Sequence, residues 1–82
     1  MVLHLGCDEF VPLESVVAVL DAERSPALLK DVRKKEASGL PVQRIGSEET
    51  RSIVIVSSAG RQVFFLSPIS SETLHKRVES GF

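Results

Sequence analysis

The stretch IVIVSSAGRQVFFLSPISSETLHKRV, residues 53–78, decides the fold. Ile53, Val54, Ile55 and Val56 form an apolar, β-branched run, residues 57–60 make a turn of hairpin length, and residues 62–66 return as a second apolar run. Two such runs joined by so short a turn predict an antiparallel hairpin. Pro68 then ends the ladder because its nitrogen has no hydrogen to donate, and Ser70 or Ser71 opens a helical pattern carrying Leu74 and Val78. Strand therefore runs into short helix. Ser67, Ser70, Ser71 and Thr73 crowd the junction, where free amides at a helix start need acceptors, and they read first as caps rather than as a cradle for a ligand.

Working outward toward the N-terminus, residues 40–50 read as a connector punctuated by Pro41 and Gly46, with a polar tip of Ser47, Glu48, Glu49 and Thr50. Before it, Ser25 and Pro26 announce a helix: Ser suits the N-cap, and Pro at the first helical position gives up only an amide that has no partner there. Leu28, Leu29 and Val32 form its apolar stripe, and Gly39 supplies a left-handed C-cap. Lys34 and Lys35 lie in its last turns, where the helix dipole favours cations. The run of residues 16–20, VVAVL, fits a buried strand or a buried helical turn by periodicity, and its three valines favour the strand. At the start, residues 2–5 form a short apolar stretch stopped by Gly6; with Phe10 and Val11 it reads as two short strands or one strand broken at a Gly bulge, ended by Pro12.

Taken together the chain is expected to be a single α+β domain over residues 1–82: a small antiparallel sheet with a central hairpin, one mid-chain helix and a short C-terminal helix. Its strands are apolar at successive positions, so both sheet faces call for burial. Two short helices look insufficient to cover both, which makes the second face a candidate subunit contact and predicts a homo-oligomer. Size argues the same way, since a chain of 82 residues buries only roughly 60–65% of the surface its unfolded form exposes.

Composition narrows the class. Hydrophobic content of 43% excludes a disordered chain, and the single cysteine, Cys7, excludes an internal disulfide and fits a reducing compartment. The longest apolar run, five residues, is far short of the roughly 20 that cross a bilayer, and no basic flank precedes a signal-like core, so a soluble, cytoplasmic protein is expected. The net charge of −1 conceals a segregation: residues 1–23 carry −5 and residues 24–36 carry +3. Such asymmetry can serve docking of unlike patches or an anionic ligand, although charged helix faces are most often simply solvated.

Catalysis has thin support. No GxSxG, phosphate-binding loop, HExxH or CxxC is present, so no catalytic residue, cofactor, metal or small-molecule substrate is expected. His4 and Cys7 are three apart, which on a strand puts them on opposite faces and disfavours a thiolate–imidazole pair. His4 is expected to pack in or beside the sheet with its second nitrogen hydrogen-bonded, and His75 to face solvent.

The opening LHLGCDEFVPLESVVAVLD, the strand and hairpin after Thr50 and Arg51, and the closing SPISSETLHKR resemble the small bacterial extracellular matrix regulatory proteins of the Rem type, closest to the RemB branch. The LxLG, D-x-x-VP and LSPIS elements are the specific parts, and the resemblance spans nearly the whole chain in order. It implies a transcriptional regulator of biofilm matrix genes that binds double-stranded DNA as a ring-shaped or otherwise closed homo-oligomer, with a fold similar to part of LytTR-type domains. It also implies DNA contacts just before the central hairpin and near the start of the residue 16 run. Arg51 matches that pattern, whereas Ser47, Glu48 and Glu49 stand where RemA-branch relatives have arginines, and Ser15 occupies the other basic position. Arg44, Arg51 and Arg61 are therefore the candidate nucleic-acid contacts, repeated around an oligomer. The alternative is a structural or adaptor oligomer that has lost DNA binding, because carboxylates beside Arg51 repel phosphate. On that alternative Arg51 pairs with Glu48 or Glu49 at the surface, a contact that contributes little.

Overall fold

In the computed structural model, which describes residues 1–80, the chain forms β1 (Val2–Gly6), β2 (Glu9–Pro12), a 3-10 turn (Leu13–Ser15), β3 (Val16–Asp21), α1 (Pro26–Ala37), β4 (Val42–Arg44), β5 (Ser52–Ser58), β6 (Arg61–Ser67) and α2 (Ser71–Ser80). The expected hairpin is β5–β6, in register from Ser52 opposite Ser67 to Ser58 opposite Arg61. Its turn is tighter than the sequence suggested, with only Ala59 (φ 51°) and Gly60 (φ 78°) at its tip. Positive φ at both positions matches the right-handed strand twist, and Ala59 is strained there as glycine would not be. The β1–β2 ribbon is turned the same way by Cys7 (φ 46°) and Asp8 (φ 62°), so the N-terminal run is two strands.

The main sheet has strand order β3-β5-β6-β4. β3 and β6 both pair antiparallel with β5, while β4 adds to β6 in parallel. This edge strand lies inside the segment read as a connector. Its three residues carry no periodic signal, and what recruits them is the free edge of β6: the amide of Phe64 donates to the carbonyl of Pro41 (3.0 Å) and that of Ile45 to Leu66 (2.9 Å). Helix α1 connects β3 at one edge with β4 at the other, so it must cross one sheet face.

Both sheet faces are covered within the chain, which corrects the expectation that the second face is left open as a subunit contact. Val32 of α1 is fully buried with Ile53, Leu66 and Ala22, and half-buried Leu28 and Leu29 pack around them. On the opposite face Val54, Val56 and Phe65 are covered by Leu3, Leu5 and Val11 of the ribbon and by Leu74 of α2. The β1–β2 ribbon supplies the cover that two helices alone lack. Each fully buried Leu or Val contributes roughly 1.5–3 kcal/mol by removal of apolar surface from water.

The caps follow the sequence unevenly. Ser70 caps α2 as expected: its Oγ accepts from the Thr73 amide (3.2 Å), and its carbonyl accepts from Leu74 (3.0 Å). Ser25 occupies the N-cap of α1 before Pro26, but its side chain makes no cap bond. At the other end the amides of Gly39 and Leu40 donate to the carbonyls of Glu36 and Lys35, with Gly39 at φ 80°, as a left-handed C-cap requires.

Candidate functional site

Arg51 and Arg44 lie at one end of the main sheet and Arg61 at the other. Arg51 lies immediately before β5, its amide donating to the Ser67 carbonyl (2.8 Å) and its carbonyl accepting from Ala22 (3.1 Å). The backbone is thereby pinned on both sides. Its side chain is exposed and forms no ion pair with Glu48 or Glu49 among the described residues. Arg61 is exposed at the far end of the same hairpin, opposite Ser58. With a rise of about 3.3 Å per residue, β5 puts roughly 20 Å between the two ends.

Arg44 is committed inside the chain. Its Nη2 donates to Glu36 Oε1 of α1 at 2.9 Å, and its Nη1 donates to Thr50 Oγ1 at 3.4 Å. Both partners of the ion pair are about one-third exposed, at 39% and 32%, so the contact ties the short β4 edge to α1. Its position on β4 opposite Leu66 turns it toward the α1 face.

Ser15, in the 3-10 turn, precedes Val16, which pairs with Val56, two residues short of the hairpin tip. Ser15 and Arg61 therefore belong to one end of the sheet, and Arg51 to the other. The cations of α1 divide similarly between used and free. Lys35 Nζ contacts Asp31 Oδ2 at 2.7 Å, and that hydrogen bond together with the charge of Lys35 holds the Asp31 carboxyl below the ordinary carboxylate range. Lys30 and Arg33 make no ion pair among the described residues and face the end of the connector, at Glu49 and Thr50. Sequence could show their spacing of three but not what lies opposite them.

The two histidines and the cysteine stay apart from one another chemically. His4 stacks on Phe10 across the ribbon, ring centroids 4.6 Å apart at 24°. Its Nε2 is buried with no hydrogen-bond partner among the described residues, contrary to the bonded nitrogen expected. Cys7 is exposed in the turn, and His75 is exposed on α2 as expected. Among the described residues no group of three His, Cys, Asp or Glu side chains is placed to hold a metal, and no helix is long and apolar enough to cross a membrane.

What the fold defines is a small α+β domain with free charges at the two ends of one sheet. The chain belongs to the extracellular matrix regulatory protein A-like (RemA-like) family, whose model matches residues 2–78. That family is one of regulatory proteins rather than enzymes. No curated protein matches the chain.

Proposed function

We propose that the chain is an oligomeric DNA-binding regulator in which the Arg51 end of each protomer contacts phosphate. The observation that carries this reading is the exposed Arg51 side chain, held on a backbone fixed by two main-chain hydrogen bonds and not neutralised by the carboxylates beside it. An exposed, unpaired guanidinium is available to phosphate, and each such contact releases a counterion on binding. Arg61 supports a second contact, since it stands at the sheet end where Ser15 replaces a basic residue of the RemA branch. Arg44 contributes to shape rather than to phosphate binding. The departures at Ser15, Ser47, Glu48 and Glu49 favour placement nearer the RemB branch.

Roughly 20 Å between the two contacts of one protomer suits a duplex lying across several copies better than one copy gripping alone. Oligomerisation is supported by the outer face of the β1–β2 ribbon, where Val2 (62% exposed) and Phe10 (53%) stand beside Met1 (62%). Large apolar side chains grouped on one exposed face favour association. The reading of an adaptor without DNA binding draws on Glu48 and Glu49, both exposed with no cation in contact among the described residues, so that their field also reaches the solvent beside Arg51.

The deciding experiment is fluorescence anisotropy on a labelled duplex, with mass in solution measured in parallel. The regulator binds at low salt as an oligomer and loses affinity steeply between about 50 and 200 mM salt. An oligomer that ignores duplex at low salt is the adaptor, and a monomer removes the multivalent argument.

A further inference from the structure

A cleft of about 440 Å³ opens between the first half of α1 and the end of the connector. Its base is apolar and buried at Ala22 (2% exposed), with half-buried Leu29 beside it. Thr50 completes the base at 6% exposure; its Oγ1 accepts from Arg44, which leaves the hydroxyl proton uncommitted. A hydroxyl with an uncommitted proton at the base can donate to a polar group that enters.

Charge at the rim is of both signs. Lys30 and Arg33, one turn apart on α1, supply cations, and Glu23 and Glu49 supply carboxylates. None of these four side chains forms an ion pair with another, although all line the same cleft. Two uncommitted charges of each sign around an apolar base match a ligand that is itself dipolar with an apolar body. A simple anion gains from Lys30 and Arg33 but is opposed by both carboxylates, and a simple cation meets the reverse.

We propose that this cleft binds a short apolar peptide or free amino acid, its carboxylate toward Lys30 and Arg33, its ammonium toward Glu23 and Glu49, and its side chain over Ala22 and Leu29. The volume lies within the range of small-ligand sites, roughly 300–1,000 Å³. The cleft borders the Arg51 end of the sheet through Glu49 and Thr50, but its proposed ligand does not depend on duplex binding.

The test is an amide-resolved NMR titration of the full chain with leucine, glycyl-leucine and leucyl-glycine. Saturable shifts centred on Ala22, Lys30 and Thr50 are expected with at least one probe. Blocking its carboxylate as the amide, or its amine as the N-acetyl form, is expected to weaken binding about tenfold, as one lost charged contact of roughly 1.4 kcal/mol would. Lys30→Ala should reduce the preference for a free carboxylate, and Glu49→Gln the preference for a free ammonium. Absence of saturable shifts with all three probes overturns the proposal. So does equal binding of the blocked forms, or binding of inorganic phosphate as tight as that of the best probe.

Discussion

Ser67 Oγ donates a 2.7 Å hydrogen bond to the carbonyl of Leu5, 62 residues away, and accepts from the amide of Ile69 at 3.1 Å. One fully buried hydroxyl therefore joins the main sheet to the β1–β2 ribbon and at the same time shapes the turn into α2. Ser52, its cross-strand neighbour, is as deeply buried but its Oγ has no partner among the described residues.

The pair makes an internal control. Ser67→Ala should destabilise the fold by about 1–3 kcal/mol, because it strands the carbonyl of buried Leu5 and a part-buried amide. Ser52→Ala removes an unsatisfied hydroxyl and should be neutral or stabilising. Urea unfolding of the two variants, compared at constant m, checks the contrast; equal losses would refute the assigned hydrogen bonds.

Ala59 sits at φ 51° in a two-residue turn. The left-handed region costs an L-residue with a Cβ roughly 1 kcal/mol, a penalty glycine escapes at some expense of unfolded-state entropy. Ala59→Gly should therefore raise the thermal midpoint slightly, and Ala59→Val should lower it, since β-branching worsens the clash. Calorimetry of both variants reads the sign directly.

For duplex binding, Arg51→Ala should lower affinity and reduce the slope of log K against log salt by about one per protomer engaged. Glu48→Gln combined with Glu49→Gln should raise affinity, most at low salt, where screening is weakest. Arg44→Ala should instead show its effect in stability, through loss of the contact between β4 and α1. Affinity that follows Arg44 rather than Arg51 would invert the assignment.

Phe10→Glu places a charge on the outer face of the ribbon without touching Leu3, Leu5 or Val11 beneath it. If that face joins subunits, the mass in solution should fall while circular dichroism is preserved. An unchanged oligomer would move the interface elsewhere, for instance to exposed Val17 or Leu40.

Asp31 has its pKa depressed in the folded chain by the hydrogen bond and charge of Lys35. Its contribution is then present above the unfolded carboxylate value and is lost as pH falls through the lower folded value. Asp31→Asn should be less stable than the parent at neutral pH, and the two melting curves should converge on acidification below the ordinary carboxylate range.

The chain's local order was legible from local chemistry. The β-branched run of residues 53–56, the proline after residue 67, the Ser70 cap and Gly39 each act within a few residues, so their consequences can be read without knowing the fold. Family membership was legible for a related reason, since the LxLG, D-x-x-VP and LSPIS elements survive as strings, and the family match over residues 2–78 agrees with them. What lay outside the sequence's reach was everything set by approach in space. The parallel edge strand Val42–Arg44 exists because β6 has an open edge, the second sheet face is covered because the β1–β2 ribbon and α2 fold over it, and Arg44, though still exposed, is tied to α1 because Glu36 stands beside it. Arg61 is parted from Arg51 and Arg44 for the same reason: seven residues of extended β5 separate the two ends, a distance that composition and spacing in sequence do not encode until the strands are paired.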